Sequence, residues 1–162
     1  HGGQGQLMRH MRRTGPAGPA RTDSEEFFMA PEETTLKYAK EIVAKDPYAT
    51  FLGIKLVEAK ENYARLEMEV KPEYANAVER AHGAIIYGAA DQAFAVACNS
   101  GGYRAMALNV TIHYLSGAPV GSKIISEARP IAIRRKISLW RLEVKLEDGT
   151  LVATAEGTAY HK

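Results

Sequence analysis

The chain has 162 residues, 46% hydrophobic and 25% charged, with 21 Lys+Arg against 19 Asp+Glu, the size and balance of one globular domain rather than two. A net charge of +2 is too small to make nucleic acid the main partner, and no apolar run nears the roughly 20 residues that span a bilayer. The single cysteine, Cys98, excludes an intramolecular disulfide and fits a reducing, cytoplasmic setting.

Residues 1–28 are rich in Gly, Pro and Arg and follow neither helical nor strand periodicity. They read as a disordered tail or cloning-derived segment, with Met29 as the natural start and 29–162 as the domain. An Arg-rich transit peptide is the alternative reading. Without this segment the remaining chain is close to neutral.

From Pro31 to Thr35, proline and acidic residues mark a helix start, and Leu36, Ala39, Ile42 and Val43 recur at helical spacing. Asp46-Pro47 is the predicted stop. A strand is predicted over Gly53 to Lys60. A second runs from Tyr63 to Lys71, where Leu66, Met68 and Val70 alternate with charged neighbours. Gly83 to Ser100 differs in kind: apolar nearly all round and dominated by Ala, it predicts a helix buried on most sides. Met106, Leu108, Val110, Ile112 and Tyr114 then alternate with Ala107, Asn109, Thr111 and His113. Further strands are expected near Lys123 to Ile133, from Ile137 to Glu147, and, after the Asp148-Gly149 hairpin signal, from Thr150 to Tyr160. Helices precede a long run of strands, so the fold class is α+β, an antiparallel sheet wrapped around the long central Ala-rich helix.

Asp91 is the chemical anomaly of that helix. A carboxylate among Ala and Gly costs several kcal/mol unless compensated, which makes it a candidate site residue. The structural alternative is an Asp on the helix's one wet stripe beside Gln92. At the helix entrance, His82-Gly83-Ala84 offers unpaired backbone N–H groups with no Cβ in the way. A carbonyl held by the Gly83 N–H and facing Asp91 would be a minimal acyl-transfer site; the alternative for His-Gly is a simple turn. Arg134, Arg135 and Lys136 form a basic cluster suited to a phosphorylated ligand, or a solvated strand end. Cys98 reads as a core thiol, Trp140 as a packing or subunit-contact residue, and His113 as a surface or interface residue. Tyr87, Phe94 and Tyr103 suit an acyl pocket. No metal-ligand spacing is visible.

The run HGAIIYGAADQAFAVACNS resembles the central-helix signature of the hotdog-fold thioesterases, in their phenylacetate-degradation (PaaI-like) branch. Asn76, six residues before His82, matches an Asn that commonly precedes the motif, and Ile112-His113-Tyr114-Leu115, Gly121 and Gly149 to Gly157 fall where the family pattern places them. The resemblance covers roughly Pro47 to the C-terminus. It implies acyl-CoA hydrolysis with no cofactor and no metal, in homodimers that pair into homotetramers with the active site between subunits. It further implies Asp91 as nucleophile or general base and the Gly83 N–H as the group polarising the carbonyl. Asn76, His82 and Ala84 would shape the thioester loop, and the basic cluster would bind CoA phosphates. Ala84 replaces a usual Gly, Glu79 occupies a position that is often Gly, and Ala107 stands where relatives place a water-positioning Ser or Thr. Asn109 and Thr111, expected on the face of Ala107, are the substitutes. A non-hydrolytic acyl-CoA binding module is the alternative reading, and a hydratase relying on His82 is the third.

Overall fold

The computed structural model describes residues 32–162; the segment read as a tail, Met29 and Pro31 lie outside the described residues. Helix α1 (Glu32–Glu41) and a 3-10 turn (Val43–Lys45) lead into α2 (Pro47–Leu52). Strands β1 (Lys55–Lys60) and β2 (Tyr63–Glu69) precede the long helix α3 (Gly83–Cys98). Four strands follow: β3 (Ala105–Tyr114), β4 (Lys123–Ile133), β5 (Ile137–Leu146) and β6 (Leu151–His161). All pair antiparallel in one sheet of order β1-β2-β4-β5-β6-β3.

Alternation decides which face of this sheet is dry. Leu66 and Met68 of β2, Ile124 and Ala128 of β4, Trp140, Leu142 and Val144 of β5, and Ala153, Ala155 and Ala159 of β6 are all buried. They close over Ala89, Ala90, Ala93, Phe94, Val96 and Ala97 of α3. The small residues of α3 let the sheet approach closely. Gly157 supplies the same room from the sheet, since a Cβ there would stand 2.6 Å from the Phe94 ring. Phe94 and Trp140 pack with ring centroids 6.1 Å apart, and the indole N–H donates to Ser138 Oγ at 2.6 Å. Trp140 is therefore a packing residue. Cys98 is buried, its thiol pushed up to about 12 by desolvation, as a core thiol should be.

Helix α1 ends at Glu41, five residues before the stop expected at Asp46-Pro47, and that dipeptide serves the next helix instead. The Asp46 carboxylate accepts from the Ala49 N–H at 2.8 Å and Pro47 takes the first helical position, so the same dipeptide starts α2. This helix lies across α3: a Cβ on Gly88 would stand 3.1 Å from both Leu52 Cδ1 and Tyr48 Oη. Gln92 Nε2 donates to the Val43 carbonyl at 2.7 Å and fastens the preceding turn to α3 as well.

Strand β3 corrects one expectation. Its register against β6 shifts between Ala107 and Asn109, because Leu108 is bulged out. Directly opposed residues share a face. Ala107 lies opposite the buried Ala159, whereas Asn109 lies opposite Thr158 and Thr111 opposite Glu156. Ala107 thus shares the face of Ala159, although it is exposed at this sheet edge, while Asn109 and Thr111 are turned to the outer face of the sheet. Neither stands in for a hydroxyl beside Ala107.

Candidate active site

The loop before α3 is built on Asn76. Its Oδ1 accepts from the Val78 and Arg80 N–H groups at 3.0 and 3.1 Å, and its own N–H donates to the Arg80 carbonyl at 2.7 Å. Glu79 takes φ +56° inside this loop, the left-handed conformation that Gly adopts without strain. His82 follows as N-cap: its Nδ1 accepts from the Ala84 N–H at 3.1 Å, and its carbonyl accepts from Ile85 and Ile86 at 2.9 and 3.2 Å. Of the first four N–H groups of α3, the one without an acceptor among the described residues is that of Gly83. Tyr114 leans against it from β3. The phenol donates to the Gly83 carbonyl at 3.1 Å, and a Cβ on residue 83 would stand 3.3 Å from the ring. A cavity of about 400 Å3 opens here, walled by Asn76, Arg80, Gly83, Ile86 and Tyr114 among others.

Gly83, Tyr87 and Asp91 follow at four-residue spacing, so they line one face of α3. Asp91 is half-buried on the side of the helix away from the sheet. Among the described residues its carboxylate has no hydrogen-bond or ion-pair partner. Burial raises its pKa above the ordinary carboxylate value, and the negative charge of Asp46 raises it further. Tyr87 stands between the two ends of this face, its phenol pKa raised by burial, by Asp91 and by Tyr114. A carboxylate without donors around it keeps its electron pairs for a reactant, and a raised pKa brings proton affinity nearer to neutral pH. Gln92, the expected neighbour on a wet stripe, is instead buried in the contact with Val43.

Other candidates are spread out. Arg134, Arg135 and Lys136 form the exposed β4–β5 turn. The Lys136 carbonyl accepts from His161 N–H, and His161 pairs with Ala105, whose N–H is held by Asn99 Oδ1. The basic turn therefore lies at the C-terminal end of α3, opposite the Gly83 entrance. Phe94 belongs to the core and Tyr103 is stacked on the buried His161 at 3.8 Å, which leaves Tyr87 as the acyl-pocket candidate of that trio. His113 is exposed on the outer face. Sequence reasoning passed over Asp46, Tyr114 and Arg80. Tyr114 was legible as a β3 aromatic, but its contact with Gly83, 31 positions away, exists only once β3 is folded beside the entrance of α3.

One helix half-enclosed by an antiparallel sheet, with a free N–H at its entrance and a bare carboxylate on its open side, defines a hotdog-fold acyl-transfer protein. The description "Thioesterase superfamily" fits residues 79–153. A protein of Archaeoglobus fulgidus, provisionally named an esterase, is 41% identical over 115 residues, spanning 71% of this chain and 75% of its own. The acyl-coenzyme A thioesterase PaaI of Escherichia coli is 29% identical over 115 residues, spanning 71% of this chain and 82% of its own. The solved structure of the E. coli PaaI protein from the phenylacetic acid degradation operon superposes with a TM-score of 0.76 at 26% identity, covering 81% of this chain and 95% of that one. The chain belongs to the thioesterase superfamily, as a PaaI-like thioester hydrolase of hotdog fold.

Proposed function

We propose that this chain hydrolyses acyl-CoA thioesters carrying short, medium-chain or aromatic acyl groups, releasing the free acid and CoA. The Gly83 N–H holds the thioester oxygen and stabilises the charge that develops there. Asp91 attacks the carbonyl carbon, expelling the CoA thiolate before water cleaves the resulting anhydride, or takes the proton from a water that attacks directly. The observation carrying this reading is the single unpaired N–H of the α3 entrance on one helix face with a donor-free carboxylate. The name of the E. coli relative supports the substrate class.

The spacing requires a second protomer. Eight residues separate Gly83 from Asp91, a rise of about 12 Å along the axis, too far for both to touch one carbonyl. A two-fold partner with its α3 antiparallel brings Gly83 of one protomer to Asp91 of the other. It also places the basic β4–β5 turn of the Asp91 protomer on the side where the loop before the other Gly83 begins, so Arg134, Arg135 and Lys136 reach the phosphate end of CoA there. The edge of β3, unpaired among the described residues and with Met106 and Leu108 56% and 61% exposed, supplies the surface for this dimer. Pairing of dimers into tetramers belongs to the same reading.

Thiol release from a panel of phenylacetyl-, hydroxybenzoyl-, acetyl- and medium-chain CoA esters tests it, wild type beside Asp91→Ala. Turnover should fall by about 10²–10⁴-fold in a variant that melts like wild type. Near-full activity in folded Asp91→Ala would sink the assignment.

A further inference from the structure

Arg80 has no part in the chemistry above; it is an exposed residue near Gly83 whose backbone is fixed by the loop. Its backbone is fixed on both sides: the N–H and carbonyl bond to Asn76, and the residue bridges to Pro119. Its side-chain stem lies on Gly117, where a Cβ would stand 3.1 Å from both Cγ and Cδ. Nη1 donates to the carbonyl of Glu79 at 3.2 Å, and it is the left-handed turn at Glu79 that presents this carbonyl. One N–H of the guanidinium is thereby used, and its remaining donors stay available. Among the described residues no carboxylate lies within ion-pairing distance of it, although charged residues on the outer sheet face pair repeatedly.

The position of Arg80 says what such donors would meet. It lines the 400 Å3 cavity that opens at Gly83 and also an adjoining cavity of about 430 Å3 walled by Pro72, Ala75, Glu79, Pro119 and Val120. Among the described residues no other lines both. The first cavity is largely apolar, with Val78, Ala81, Ile86, Tyr114 and Leu115 in its wall, which suits a thin uncharged arm. A ligand entering with its carbonyl at Gly83 and its arm along that wall reaches Arg80 where the two cavities meet. Forked N–H donors with no carboxylate of their own match phosphate oxygens.

We propose that Arg80 anchors the phosphate end of the substrate, donating to the CoA diphosphate or 3′-phosphate while the pantetheine arm lies in the cavity at Gly83. The proposal rests on the CoA-thioester reading, and its test separates the two. The acyl-CoA that wild type cleaves best is compared with the same acyl group on pantetheine, which lacks the phosphates, in wild type, Arg80→Gln and Arg80→Lys. The kcat/KM preference for the CoA ester should fall about tenfold in R80Q, the worth of roughly one charge-assisted hydrogen bond, and R80K should retain most of it. Calorimetric titration with CoA and with pantetheine reads the same contact without turnover. CoA affinity should drop in R80Q by a similar factor while pantetheine affinity stays put. The proposal is overturned if wild type does not bind CoA, if the preference and the CoA affinity both survive R80Q, or if both probes weaken equally. It is overturned too if phosphate preference disappears only when Arg134, Arg135 and Lys136 are replaced. CoA binding that depends on Arg80 without cleavage of any ester would leave Arg80 in place and remove the hydrolase reading.

Discussion

Asp91 is tuned from outside its own helix. Burial is the larger cause of its raised pKa, and Asp46, the N-cap of α2, is the second. An ionised base is needed for turnover, so kcat/KM should fall as pH drops through a value above the ordinary carboxylate range. Removing the Asp46 charge favours ionisation of Asp91, and the acid limb should move to lower pH. Asp46→Asn is the suitable variant, because an amide oxygen still caps α2. A pH profile of kcat/KM that does not move in D46N would remove Asp46 from the site. The sign for stability is opposite to that of a salt-bridged acid: a carboxylate with a raised pKa destabilises the fold as pH rises through that pKa. The sequence marked Asp91 as out of place, but its Asp46 neighbour is 45 positions away, and only the packing of α2 on Gly88 brings the two together.

At the scale of elements, most of the sheet was legible because its strands carry a strict period of two. Leu66 and Met68 in β2, Val70 just past its end, and Trp140, Leu142 and Val144 in β5 are buried as their alternation requires. The α3 helix was legible from its Ala-rich run. Two features were not. α2 has six residues, too few for a helical period to show, and in the sequence its start signals read as a stop for the helix before it, which ends earlier, at Glu41. The β3 bulge leaves the written alternation intact while reversing which face the residues before it share with those after it. The loop before α3 carries a testable cost. Glu79 sits at φ +56°, where an L side chain is disfavoured by roughly 1–2 kcal/mol. Glu79→Gly relieves that strain at some cost in chain entropy, so the net gain should be about 0.5–1 kcal/mol, read as a higher Tm or denaturant midpoint. A lower midpoint in E79G would show that the Glu79 side chain itself supports the loop.

For the whole molecule the decisive question is whether one chain holds a complete site. Gly83 and Asp91 lie about two turns apart on one straight helix, and no side-chain rotation closes that gap. The reading therefore demands that each reaction centre draw its N–H from one protomer and its carboxylate from another. Two variants, each inactive alone, decide the point. Asp91→Ala removes the carboxylate. Gly83→Pro removes the N–H at a first-turn position where proline is well accepted, keeps the carbonyl that Tyr114 bonds, and meets a Tyr114 ring that is 51% exposed. Mixed and allowed to exchange subunits in equal amounts, half of the dimers should be hybrids, each with one site carrying both lesions and one carrying neither. Activity should recover to about a quarter of wild type. A site contained within one chain has no such rescue, because every protomer in the mixture is defective. Recovery that is blocked by a charge placed in the β3 edge, as in Leu108→Lys, would further tie the shared site to pairing through that strand. Hybrids that form but stay inactive would mean that Gly83 and Asp91 do not meet across the dimer, and the acyl-transfer geometry would have to be rebuilt around one of them alone.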